Sequence, residues 1–211
     1  MSKFTADIAH YRRNGDHGKE LWLNPALWAI ACYRLSNWVN VARPAWPIRL
    51  PLKLALFCAN KFCEVCMQMC ISPRATIGEG LYIGHIGGVI ISQFAMIGRD
   101  CDIGHRVTIG VPAMGRPGAP TIGDSVYIGN GATLVGKIRI GDGAKIAANS
   151  LVIDDVPEGA SVMGVPGRII IGPAKGGPAK STQLPSQLAA SEQPEPDSAH
   201  QDHTLATSNT P

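Results

Sequence analysis

From Ile71 to Val152 an aliphatic residue returns at every sixth position, and no other feature of the chain restricts its fold as strongly. Ile71, Ile77, Ile83 and Val89 form one in-phase series; Ile91, Ile97, Ile103 and Ile109 form a second after a two-residue slip. A longer break precedes the third series, Ile122, Ile128, Leu134, Ile140, Ile146 and Val152, and glycine often follows the aliphatic, as at Gly78, Gly98, Gly123 and Gly141. A helix brings apolar residues back at three and four and a half-buried strand alternates at two, so a period of six fits neither. It fits a parallel β-helix, in which each short strand contributes one inward aliphatic and each corner turns at a small residue. Most of these side chains are then scaffold. Function is expected where the period breaks: at the slip from Val89 to Ile91, just after His85, and across Val111 to Thr121.

The chain has 211 residues, 45% hydrophobic and 17% charged, enough for one domain with appendages. Its net charge of +3 and the lack of a basic run interleaved with aromatics leave no electrostatic footprint for nucleic acid. Met1 to Asp16 is polar where a secretory signal would be apolar. The stretches Leu21 to Val41 and Leu50 to Met69 are too interrupted to span a bilayer, so a cytoplasmic protein without a transmembrane segment is expected. Six cysteines in such a chain read as free thiols. Cys63, Cys66 and Cys70 would share a helix face but fall short of a closed zinc set, and are read as small buried hydrophobes packing that helix onto the solenoid.

Residues 1–69 read as a helical region. A first stripe of Trp22, Leu27, Ile30, Leu35 and Trp38 ends at Pro44 and Pro47. A second helix is expected from about Ile48 to Met69, with Leu52, Leu56, Ala59, Phe62, Val65 and Met69 on its apolar face. Such an aromatic, basic cap could lie on a membrane surface, although packing on the solenoid or a neighbouring subunit is the preferred reading. Residues 70–171 form the β-helix domain. From Gly172 onward, Pro, Ser, Gln, Ala and Thr dominate, and residues 172–211 are expected to be a disordered tail.

Ile71-Ser72-Pro73-Arg74-Ala75-Thr76-Ile77-Gly78, His85 before Gly88-Val89-Ile90-Ile91, Val107-Thr108-Ile109-Gly110, and Gly164-Val165-Pro166-Gly167-Arg168 together carry a family resemblance. From about Asp7 to Ile170 the chain resembles the hexapeptide-repeat acyltransferases, within them the serine acetyltransferase branch and its relatives in exopolysaccharide and capsule gene clusters. The resemblance implies a left-handed parallel β-helix, acetyl-CoA as co-substrate, no metal, and a homo-oligomer, usually a trimer or a dimer of trimers. Acyl transfer to an alcohol needs a base near neutrality, which suits histidine. The family residue matching His85 is that base, in a cleft between subunits where backbone N–H groups hold the oxyanion. His105 stands where the serine enzymes usually carry Gln; it either lines the acceptor side of the same cleft or is a solvated turn. Asp7 and Gly84 occupy the other acceptor positions of the pattern. For the donor, small and basic residues of the later coils match the CoA groove: Ala132, Gly136, Lys145, Ala147, Ala148 and Arg168.

Several acceptor groups of the serine enzymes are missing. Gly84 replaces an Asp before the catalytic His, Cys70 replaces another Asp paired with it, and Gly118-Ala119 replaces an Arg-His pair before Pro120. A zwitterionic amino acid needs opposite charges in its pocket, whereas a sugar hydroxyl does not. The expected activity is therefore acetyl-CoA-dependent O-acetylation of a carbohydrate or polysaccharide precursor, with serine O-acetylation as the alternative. A metal enzyme of the γ-carbonic-anhydrase type would need a third histidine beside His85 and His105. The remaining ones, His10, His17, His200 and His203, lie outside the repeats. A catalytically silent scaffold is the other alternative, and Glu79, Asp100 and Asp102 are the candidates to orient His85.

Overall fold

Each six-residue step becomes one short strand and one corner in the computed structural model, which describes residues 2–112 and 118–171. The first coil runs through β1 (Met69–Ile71), β2 (Thr76–Ile77) and β3 (Tyr82–Ile83), the second through β4 (Val89–Ile91), β5 (Met96–Ile97) and β6 (Asp102–Ile103). The third holds β7 (Thr108–Gly110), β8 (Thr121–Ile122) and β9 (Tyr127–Ile128), the fourth β10 (Thr133–Val135), β11 (Arg139–Ile140) and β12 (Lys145–Ile146). A fifth turn carries β13 (Leu151–Val152) and β14 (Ser161–Met163), and β15 (Arg168–Ile171) folds back antiparallel on β14. Stacking the coils gives three sheets: β1-β4-β7-β10-β13, β2-β5-β8-β11, and β3-β6-β9-β12-β14-β15. In register, Ile71, Ile91, Ile109, Leu134 and Val152 form one internal ladder and Ile83, Ile103, Ile128, Ile146 and Val162 another. All ten are buried, each contributing roughly 1.5–3 kcal/mol of apolar burial shared with the coils above and below.

The slip does not fall within Val89 to Ile91, where Val89 and Ile91 both point inward from one strand. It lies in the preceding corner. Five residues, Gly84 to Gly88, join Ile83 to Val89, whereas three, Gly104 to Arg106, join Ile103 to Val107 one coil on. The second break is a connection from Gly110 to Thr121 whose residues 113–117 lie outside the described residues, as does the expected disordered tail, 172–211.

A parallel stack leaves one row of carbonyls unpaired at its first coil, because coil-one N–H groups donate to the second coil, as from Ser72 to Ile91 and Gly78 to Ile97. The helices supply the missing donors. Tyr33 Oη donates to Ala75 O at 2.9 Å, Arg34 Nη1 to Ile77 O at 2.9 Å, Tyr11 Oη to Ile83 O at 2.8 Å, and Asn37 Nδ2 to Pro73 O at 3.0 Å. These side chains come from α1 (Lys3–Arg13) and α3 (Pro25–Ala42); α2 (Gly18–Leu23) precedes α3 and α4 (Trp46–Cys66) follows it.

The cap departs from the expected stripes. Asn24 and Pro25 divide the first element, with Asn24 Oδ1 accepting from Ala26 N at 3.0 Å as the cap of α3. The buried stripe of α3 is Ala26, Leu27, Ile30, Tyr33 and Val39, while Trp22, Leu35 and Trp38 are exposed. In α4 only Leu56 and Cys63 are buried, Phe62 and Val65 face outward, and Met69 belongs to β1. All six cysteines are free thiols, but of the three spaced ones only Cys63 packs inward; Cys66 and Cys70 are exposed. Among the described residues no helix is long and apolar enough to cross a membrane.

Candidate active site

The corner between β3 and β4 positions His85. Each coil leaves this corner through a left-handed residue, with φ of 53° at Gln68, 69° at Gly88, 58° at Arg106, 71° at Gly131 and 57° at Asn149, and the widened corner adds a second at Gly87, with φ of 114°. Because Ile83, Ile103, Ile128 and Ile146 are in register, the residues two positions on stack as well: His85, His105, Asn130 and Ala148. The His85 and His105 rings meet edge to face with centroids 6.3 Å apart. The two extra residues in the first corner push His85 outward; it is exposed, and its ring makes no hydrogen bond to any described residue. His105 is half-buried, and its Nδ1 is enclosed without a partner among the described residues. Two imidazoles on adjacent coils, one open to solvent and one recessed, can take a proton from a hydroxyl and orient the group that carries it.

The positions named from the sequence divide into two sets. Lys145 projects from the outer side of β12, and Arg168 lies two strands on in the same sheet, paired with Met163. Ala147 and Ala148 follow β12 at the corner that carries His85 three coils below. Three coil steps of ~4.8 Å span about 14 Å, a length that suits an extended ligand running up the corner. Ala132, by contrast, is fully buried, so its methyl belongs to the core and only its backbone could meet a ligand. Gly136, with φ of 101°, turns a different corner, between β10 and β11. Asp7 is fully buried and already engaged: Arg34 Nε donates to it at 2.8 Å and Nη2 at 2.9 Å, and Leu81 N donates at 2.8 Å. That geometry offers no carboxylate oxygen to an acceptor.

Asp100 is paired with Arg13 of α1 at 2.6 Å, and Asp102 Oδ1 faces His10 Nε2 of α1 at 3.1 Å. Partial desolvation and the neighbouring Glu64 raise the Cys70 thiol above its ordinary range, so this position supplies no negative charge near neutrality. A cleft of about 580 Å³ between α4 and β1 is lined by Lys53, Lys61, Glu64, Cys70 and Arg74 but not by His85. Among the described residues no group of three or more His, Cys, Asp or Glu side chains could hold a metal ion. Asn130 and Arg106 were not singled out from the sequence. Arg106 follows His105 directly, whereas Asn130 comes beside it only through the pairing of Ile103 with Ile128 across the Gly110 to Thr121 connection.

Residues 119–154 match the family described as bacterial transferase hexapeptide (six repeats). The serine acetyltransferase of Mycobacterium tuberculosis is 37% identical over 170 residues, covering 79% of this chain and 70% of that protein. The chain belongs to the serine acetyltransferase family. Its members are O-acetyltransferases, and so is this chain. A soybean serine acetyltransferase complexed with serine superposes with a TM-score of 0.68 at 33% identity, covering 80% of this chain and 68% of that one. A serine acetyltransferase in complex with CoA gives 0.65 at 31% identity, with the same coverages. Some family members are longer: the chain spans about half the length of the Escherichia coli serine acetyltransferase.

Proposed function

We propose that this protein transfers the acetyl group of acetyl-CoA to a hydroxyl acceptor, with His85 as general base. The observation that carries the reading is the outward imidazole of His85 at the widened corner, without a hydrogen bond among the described residues and facing His105 at 6.3 Å. Neutral His85 takes the acceptor's hydroxyl proton as its oxygen attacks the thioester carbonyl. N–H groups of the glycine-rich turn at Gly87 and Gly88 receive the oxyanion. Collapse of the tetrahedral adduct expels the CoA thiolate, which takes the proton back from the imidazolium. Lys145 and Arg168 serve the phosphates, and Ala147 and Ala148 leave room for the pantetheine arm. The complex of a family member with CoA supports acetyl-CoA as the donor. The working form is a cytoplasmic homo-oligomer, a cyclic trimer in which one repeated contact sets each solenoid beside the next.

Family likeness favours serine as acceptor, through relatives that carry that name and one solved with serine bound. A hydroxyl on a carbohydrate or polysaccharide precursor is the second reading, favoured by one observation: Gly84, Cys70, Gly118 and Ala119 leave the acceptor side without the charges a zwitterion needs. Thiol release from acetyl-CoA, measured with serine, nucleotide sugars and oligosaccharides, separates the two. His85→Ala is expected to lower kcat by about two to four orders of magnitude with CoA affinity retained. A near-normal kcat in His85→Ala beside a dead His105→Ala would move the base one coil up and overturn the mechanism.

A further inference from the structure

Helix α4 is apolar on two opposite sides. Leu52, Leu56, Ala59 and Cys63 form the side that packs inward, where Asn60 Nδ2 donates to Ser36 Oγ of α3 at 2.8 Å. Trp46, Leu50, Leu54, Phe57 and Val65 recur at helical spacing on the other side and are 60–80% exposed. Every tryptophan of the chain lies in this cap, and Trp22, Trp28, Trp38 and Trp46 are all at least half exposed. From Leu21 to Cys63 there is no Asp or Glu, while Arg43, Arg49, Lys53 and Lys61 lie in or beside α4. Glu64, the first acid after that stretch, is paired with Lys61 at 2.6 Å.

A contiguous exposed apolar surface marks a docking face. Here its composition selects the partner. A second copy packed on α4 would set like cations against each other with only Glu64 of each helix to answer them. An anionic lipid surface accepts both features, since tryptophan favours the headgroup boundary and Lys and Arg meet the lipid phosphates. We propose that the helical cap docks on the surface of an anionic bilayer, with α4 lying in the interface plane. At ~1.5 Å per residue its 21 residues lay about 31 Å of helix along that surface. The inference is independent of which acceptor the corner at His85 serves.

The test uses the intact protein with vesicles of phosphatidylcholine alone or mixed with phosphatidylglycerol, read by co-sedimentation and tryptophan emission. Because all four tryptophans are in the cap, emission reports on the cap and not on the solenoid. Expected are co-sedimentation and a blue shift with the phosphatidylglycerol vesicles, both weakened by salt. Lys53→Glu and Lys61→Glu should each reduce partitioning about fivefold or more. Leu54→Asp with Phe57→Asp should abolish it while leaving the circular dichroism unchanged, because both side chains are exposed. Absence of binding to either vesicle overturns the proposal. So does equal binding to both, which removes the anionic surface, or a shielded emission without vesicles that Leu54→Asp reverses together with a drop in oligomer mass, which makes a second copy the occupant.

Discussion

Asp7→Asn tests whether the buried carboxylate clamps the cap to the coils or serves the acceptor. Asp7 is fully buried, and the Arg34 side chain paired with it is 9% exposed. Removing the charge leaves a guanidinium enclosed without its counter-ion, and breaking such a pair from one side costs about 3–5 kcal/mol. The lower end applies, because the carbonyls of Ile77 and Gly78 still accept from Arg34. For a chain of this length about 3 kcal/mol corresponds to a Tm lower by roughly 6–12 °C. Thermal melts measure that shift, and acceptor KM is compared at a temperature where both proteins are folded. Asp7→Asn with Arg34→Met, which removes both charges, should recover part of the loss. A Tm within about 1 °C of wild type together with a raised acceptor KM would refute the clamp and return Asp7 to the acceptor site.

Two further predictions concern single side chains. His10 Nδ1 lies 2.6 Å from Gly80 O and must donate to it, so in the neutral ring Nε2 is a lone pair 3.1 Å from Asp102 Oδ1, which has no aligned donor among the described residues. Protonation turns that approach into an ion pair, and the Asp102 contact, opposed by burial and aided by Gly80, raises the His10 pKa above 6.5. A raised folded pKa gives stability that is complete below the unfolded value and is lost as pH rises through the folded one. Melts of wild type and His10→Gln should therefore differ most below pH 6.5 and converge in alkaline buffer; a constant gap would contradict the pairing. Gly84→Asp restores a carboxylate beside His85 and should raise kcat/KM for serine about tenfold, the yield of one charge-assisted hydrogen bond of ~1.5 kcal/mol. An unchanged value would show that charge at this position does not limit serine.

The repeat made the coils legible because one inward aliphatic per strand is a local requirement. Ile83, Ile103 and Ile128 need only agree in phase to fall into register. The helices were less legible because periodicity alone cannot say which of two apolar faces is covered. In α4 the inward stripe at Leu56 and Cys63 and the outward one at Trp46, Leu50 and Leu54 carry similar signals. Tyr11, Tyr33 and Arg34 read as ordinary helix residues until the unpaired carbonyls of the first coil show what they are for. At the corner, His85 was visible through the phase break, whereas Asn130 depends on the register of Ile128 on Ile103, set across the second break.

Three of the four departures from the family pattern, at Gly84, Cys70 and Gly118, also differ in what packing permits. At Gly78, Gly98 and Gly104 a Cβ would collide with the next coil, with Gly98, Gly123 and Asn130 respectively, so those glycines belong to the solenoid. Gly84 is different: a Cβ there meets only the Tyr82 ring, at 3.5 Å or more, which is ordinary contact, and its backbone is not left-handed. Cys70 points outward from β1 with comparable freedom. Gly118 does not share it, since its φ of 154° and the Lys137 side chain, 2.6 Å from a built Cβ, oppose a side chain there. Carboxylates at positions 84 and 70 are thus compatible with this fold, and their absence is not a demand of the coil. Position 118 has closed around its glycine. The missing charges at positions 84 and 70 are therefore open to restoration by single substitution, whereas the one at position 118 is not. If Gly84→Asp leaves serine turnover unchanged, the closed position at Gly118 becomes the barrier, and pairing Gly118→Arg with Lys137→Ala is the variant that should relieve it.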